Sequence, residues 1–222
     1  MAISTRARKS SSAVNGNGKT PPGTPESLKI VIPEISVAIA RIKLVGLAPL
    51  ICDNGEKAVA ALQKLQSAAP KEKHVPREPW RDFRSSCYYV ASAKPFLDNE
   101  AIPMPQGGYG MRRLAFKKCV VTAAGRFTEH AKTYMDGVIT IRGEEILPLI
   151  VQGPPRMRED RVVPQLGRTD VRYRPEFWPW SVELEVEYIR QLITIEQLIH
   201  LFRLAGRSVG VGNWRPEKHG DF

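Results

Sequence analysis

The 222 residues, 42% of them hydrophobic and 25% charged, are enough for one substantial core. Lys and Arg outnumber Asp and Glu by 33 to 23; the formal charge is +10 and the isoelectric point about 9.7, a balance that favours polyanionic partners, nucleic acid first. Cys52, Cys87 and Cys119 lie far apart without a CxxC pair, which argues against a disulfide scaffold or a zinc ribbon, and no apolar run approaches the ~18 residues of a membrane span.

Residues 1–27 are mainly Ser, Gly, Asn, Thr and Pro, with positive charge at Arg6, Arg8, Lys9 and Lys19. That composition predicts a flexible basic arm, without the apolar stretch of a secretory signal, and a cytoplasmic location. Residues 28–222 read as a single domain with insertions at about 50–108 and 152–178. In "ISVAIARIKLVGLAPLI" both faces are apolar apart from Arg41 and Lys43, which share one side by the two-residue period; a central strand over 36–46 is expected. A helix should follow from Gly55 to Ala69, with Val59, Leu62 and Leu65 near helical spacing. Prolines and isolated charges then leave little regular structure before Met111.

"MRRLAFKKCVVTAAGRF" predicts a helix over 111–126 with Leu114, Ala115, Cys119 and Thr122 on its inner side. "DGVITIRGEEILPLIV" predicts strands near 137–142 and 146–151 joined as a hairpin, with Gly143 in the turn. In "WSVELEVEYI", Val182, Leu184, Val186 and Tyr188 alternate with Glu183, Glu185 and Glu187, so the strand over 181–190 has one buried and one wet, acidic face. Thr194 and Gln197 form a capping box for a helix over 195–205. Its stripe is Leu198, Ile199, Leu201, Phe202 and Ala205, with Gly206 just past its end and a final strand at 207–212. The order is βαββαβ, the split βαβ of the ferredoxin-like class of α+β folds, with both helices on one face of an antiparallel sheet.

The C-terminal "GRSVGVGNWRPEKHGDF" lacks the GK[ST] ending of a nucleotide P-loop, and Arg215 stands where a dinucleotide fingerprint needs its third glycine. Gly210 and Gly212 instead permit close backbone approach beside Trp214, Arg215 and Lys218. A second cluster places Arg156, Arg158, Arg161, Arg168, Arg172 and Arg174 around Tyr173, ahead of Phe177, Trp178 and Trp180. Guanidinium groups bind phosphates and stack on bases, and aromatic rings add stacking that tolerates any base. The expected nucleic-acid contacts are therefore Arg41, Lys43, Arg156, Arg158, Arg172, Tyr173, Arg174, Gly210, Gly212, Trp214, Arg215 and Lys218. His74, His130, His200 and His219 show no metal-ligand spacing, and no catalytic motif is present; no enzyme, metal or cofactor is expected.

"EQLIHLFRLAGRSVGVGNWRPEKHGDF" resembles the second helix and C-terminal glycine-rich loop of the repeat-associated mysterious protein (RAMP) superfamily, the RRM-like proteins that include backbone subunits of CRISPR effector complexes. "MREDRVVPQLGRTDVRYRPEF" and "VGVGNWRPEKHGDF" are also similar to uncharacterised proteins of tailed phages and prophages, whose setting is the host cytoplasm. The superfamily resemblance implies binding of single-stranded DNA or RNA by protomers in a row, so self-association is expected. Two features depart from it: Glu183, Glu185 and Glu187 line a sheet face, and no aromatic pair for base stacking is recognisable on the first or third strand. Alternatives are a virion-associated assembly protein, and a metal-dependent nuclease using Glu159, Asp160 or Asp170.

Overall fold

The computed structural model describes residues 34–55, 78–91, 93, 99–163 and 169–219. The basic arm, and all of the expected helix over 55–69 except Gly55, lie outside the described residues. The chain divides into Met1–Glu34 and Ile35–Phe222, and the elements below all belong to the second unit. Among the described residues they are β1 (Val37–Val45), β2 (Leu50–Ile51), α1 (Pro79–Ser86), β3 (Tyr88–Tyr89), β4 (Tyr109–Arg112), α2 (Arg113–Phe127), α3 (Lys132–Val138), β5 (Ile139–Ile141), β6 (Ile146–Val151), β7 (Arg156–Val162), β8 (Asp170–Phe177), β9 (Trp180–Ile189), α4 (Ile195–Ser208) and α5 (Pro216–His219).

The fold is α+β. A six-stranded sheet runs β1-β9-β6-β4-β3, with β5 also on β9, and a three-stranded sheet runs β2-β8-β7; every pairing is antiparallel. β9 organises the larger sheet because its alternation is strict: Val182, Leu184, Val186 and Tyr188 are buried while Glu183 and Glu185 stay in water. The buried set packs with Phe116, Val120, Ala123 and Ala124 of α2 and Leu198, Leu201, Phe202 and Ala205 of α4 in one hydrophobic core. Both helices thus back one face of the sheet. The capping box forms as expected: Thr194 Oγ1 accepts from the Gln197 N–H at 3.3 Å, and Gln197 Oε1 accepts from the Thr194 N–H at 2.9 Å. Cys52, Cys87 and Cys119 are buried free thiols, and burial pushes the Cys119 thiol up to about 11.

Several sequence expectations are corrected. β1 is an edge strand, not a central one, because the strand expected at 207–212 does not form. Arg207 and Ser208 continue α4 instead, and the glycine that ends the helix is Gly210, at φ +70°, rather than Gly206. Its N–H reaches back to the Ala205 carbonyl at 2.9 Å. β5 and β6 do not pair as a hairpin; they lie end to end along β9, β5 opposite Val186–Tyr188 and β6 opposite Trp180–Val182. The excursion between them carries Gly143 at φ +105°, and Ile146–Pro148 pairs with β4 on the far side. α2 starts at Arg113 because Tyr109–Arg112 is taken up as β4. Its inner face is rotated from the expected one, with Phe116, Val120, Val121 and Ala124 buried beside Cys119 while Leu114 is 53% exposed. The proline-rich stretch also holds more structure than expected, with α1 and β3 ahead of β4.

Candidate functional site

β7 and β8 form the long hairpin that fills the insertion at 152–178, and its register decides which charges meet. Arg156 lies opposite Glu176, Arg158 opposite Arg174, Asp160 opposite Arg172 and Val162 opposite Asp170. By the two-residue period these side chains share one face, which is a ladder of charge rather than an apolar surface. Two cations directly opposite repel one another. Asp160 relieves this pair by accepting from both: Oδ1 from Arg158 Nε at 2.7 Å and Oδ2 from Arg174 Nη1 at 3.3 Å.

Four further bonds complete the network. Arg158 Nη1 also donates to Glu176 Oε2 at 3.2 Å, and Arg156 Nη2 donates to Glu176 Oε1 at 2.7 Å. Asp53, just beyond β2, accepts on Oδ2 from Arg172 at 3.1 Å and from Arg174 at 3.3 Å. Asp160 and Glu176 are buried, as is Arg174 at 8% exposure, so this ladder stands where a core would otherwise be. Burial alone draws the Arg158 pKa down. Its bonds to Asp160 and Glu176 outweigh that and push it up, which keeps Arg158 a permanent cation.

The C-terminal loop arrives at the same place from the far end of the chain. Gly212, at φ +85°, sits so close to β2 that a Cβ would lie 2.7 Å from the Ile51 carbonyl oxygen and 2.9 Å from Leu50 Cδ1. Next to it, the Asn213 N–H donates to that same carbonyl at 2.8 Å, which docks the loop. Trp214 is thereby brought beneath the guanidinium of Arg158, whose carbon lies 4.2 Å from the ring centroid. Arg215 braces the turn by donating from Nη1 to the Gly212 carbonyl at 3.2 Å and from Nε to Glu217 at 2.9 Å. Arg126 of α2 bonds Glu217 as well, and Arg215 before Arg126 holds the Glu217 carboxyl below its usual range.

Between hairpin and loop opens a cleft of about 700 Å³, bordered by Asp53, Asp82, Asp160, Arg161, Arg172, Tyr173, Arg174, Trp214 and Lys218 among others. No protein-family model, no curated protein and no solved structure matches this chain. The chemistry of the cleft is therefore read from its own residues.

Of the expected contact residues, Arg158, Arg172, Arg174, Gly212, Trp214, Arg215 and Lys218 converge here. Gly210 shapes the turn, and a Cβ on it would meet Pro216 Cδ at 2.4 Å. Arg156 sits at the open end of the ladder, beside a smaller hollow lined by Pro154, Pro155, Trp178 and Pro179. Tyr173 also borders the cleft, although its pairing with Glu159 puts it on the hairpin face opposite Arg172 and Arg174. Arg41 and Lys43 stand on β1 across from Glu185 and Glu183, away from the cleft.

The carboxylates of the nuclease reading do not gather. Asp160 is engaged by two arginines, Asp170 pairs with Arg172 at 3.5 Å, and Glu159 falls on the other face. Among the described residues, no three His, Cys, Asp or Glu side chains are grouped so as to hold a metal ion. Sequence reasoning missed Asp53 and Glu176. Asp53 directly follows a short apolar strand and Glu176 stands inside the arginine cluster, so the surplus of arginine nearby was the signal that acids must be close.

Proposed function

We propose that this chain is a non-enzymatic, phage-type protein that binds single-stranded DNA or RNA, self-associates, and acts in the cytoplasm. The fold reading behind this is an RRM-like, ferredoxin-like domain of the RAMP kind. In its support, the order β1-β9-β5 with α2 between β1 and β5 and α4 after β9 follows the first five elements of the split βαβ pattern. Among the described residues the sixth element is lacking, and the resemblance of the C-terminal segment rests on a turn rather than a strand.

The observation that carries the binding proposal is the meeting of Arg158 and Trp214, which are far apart in sequence, at one cleft rimmed by Arg161, Arg172 and Lys218. A tryptophan covered on one side by a guanidinium is a stacking platform with a fixed orientation. Because Arg158, Arg172 and Arg174 already have carboxylate partners, stacking contributes more of the affinity than phosphate neutralisation does. Arg161, Lys218 and Arg156, whose side chain stays 75% exposed although it bonds Glu176, are the cations best placed for phosphates. Three such contacts give a slope of log K against log salt of about −2 for a single strand.

Fluorescence anisotropy with a labelled oligonucleotide of about 16 nucleotides, a length within the range of known single-strand sites, tests this at about 50 mM salt, where phosphate contacts are strong. Single strands should bind in preference to duplex with that shallow slope. Trp214→Ala should weaken binding by about 1–3 kcal/mol. Absence of binding to both DNA and RNA single strands removes the proposal.

A further inference from the structure

Among the described residues β1 is an edge strand of 9 residues, with no strand paired on its outer side. Two backbone bonds fix its phase: the Gly46 N–H donates to the Trp180 carbonyl, and the Arg190 N–H to the Ser36 carbonyl. Even-numbered residues therefore exchange hydrogen bonds with β9, while Val37, Ile39, Arg41, Lys43 and Val45 point both N–H and C=O outward. The same residues carry the exposed side chains, with Val37 at 50%, Ile39 at 52% and Val45 at 64% exposure. Long, apolar, unpaired edges recruit further strands unless something prevents it.

Charge decides what fits. On its inner side β1 sets Arg41 and Lys43 against Glu185 and Glu183. Arg41 nonetheless leaves 87% of its side chain exposed, and Lys43 makes no ion pair among the described residues. A second copy of β1, paired antiparallel along the whole strand, would face Arg41 with its own counterpart, and like charges directly opposite are unfavourable. A nucleic-acid strand offers nothing to the outward N–H and C=O groups taken together, because its backbone has no alternating amides. A strand with carboxylates at every second position satisfies both the amides and the cations, as β9 does on the other side.

We propose that β1 is a docking edge for an extended acidic segment of a partner protein, added antiparallel as a further strand of the larger sheet. The amides of Val37, Ile39, Arg41, Lys43 and Val45 bond its backbone, and Arg41 and Lys43 select its carboxylates. This surface is separate from the cleft.

The probe is a labelled peptide of about nine residues, the span of the edge, alternating glutamate with valine. The full chain should bind it at least tenfold more tightly than the same peptide with lysine for glutamate. Hydrogen exchange should show the outward amides of β1 becoming protected, and Arg41→Glu with Lys43→Glu should reverse the peptide preference. Ile39→Pro removes an outward N–H without touching the bonds to β9, so it should abolish peptide binding while leaving thermal unfolding unchanged. Should that variant fail to fold, a peptide N-methylated on its pairing side provides the same test, and it should not bind. Equal affinity for both peptides, or none for either, overturns the proposal. So does concentration-dependent protection of the β1 amides in the chain alone, which would make the occupant a second copy.

Discussion

β8 and β9 follow one another with only Trp178 and Pro179 between them, yet they solve the same problem in opposite ways. β9 buries valine, leucine and tyrosine and keeps its glutamates in water. β8 buries Arg174 and Glu176 beside Phe177 and relies on Asp160 and Asp53 to neutralise its arginines. The difference lies in what covers each strand. β9 is backed by α2 and α4, whose buried faces supply apolar area in proportion to what they hide. The hairpin meets the short helix α1, the loop at Asp53 and the C-terminal turn, which bring carboxylates, amides and one tryptophan to its charged face. A charged interior adds little net stability against an apolar one of the same volume, but it fixes geometry and costs heavily when one partner is removed.

The largest expected effect is on the helix-backed side. Phe116 is almost wholly buried within the core, and Phe116→Ala should cost about 4 kcal/mol, readable as a lower midpoint in urea. A loss below about 1 kcal/mol, the average for any substitution, would mean that the larger sheet does not dominate stability. Next comes Asp160→Ala, which leaves Arg158 facing Arg174 without a shared acceptor. We expect a loss of about 3 kcal/mol, the lower end for a broken buried pair because Arg158 keeps some contact with water. Replacing Arg158, Asp160 and Arg174 together by apolar residues of similar volume should recover most of that loss. If the triple variant stays as unstable as the single one, the ladder is a stabilising element in its own right and the contrast with β9 fails.

What could be read in advance follows the same division. β9 and α4 were legible because their periods are strict and a capping box marks the entry to the helix. The face of α2 was misjudged because small and apolar residues surround it on all sides, so that Leu114 looked as buried as Phe116. The last strand failed because Val209 and Val211 favour a strand locally, whereas Gly210 and Gly212 both adopt positive φ and turn the chain onto β2. In the cleft, the residue types were legible and their pairing was not. Nothing in the spacing of Arg158 and Trp214 announces their contact, which depends on a hairpin register and a glycine turn formed independently of each other.

The smallest predicted effect concerns how that turn is held. Glu217 receives bonds from Arg215 and from Arg126, and Arg215 in turn grips the Gly212 carbonyl, so one carboxylate ties α5, α2 and the Trp214 turn together. With its pKa held below the usual range, Glu217 contributes its full stabilisation above the unfolded value, near 4.3, and loses it as pH falls through the lower folded value. The group is open to solvent, so the contribution belongs in the range of about 0–1 kcal/mol typical of screened pairs. Its consequence is better seen in position than in stability. Tryptophan emission should shift in the wild-type chain as pH falls through the acid range, when protonation of Glu217 frees the turn. Glu217→Gln should show the acid-state emission already at neutral pH, and Trp214→Phe should remove the pH-dependent component. If Glu217→Gln titrates like the wild type, the tie between α5 and the turn does not place Trp214, and docking of Gly212 and Asn213 on β2 alone accounts for its position over the cleft.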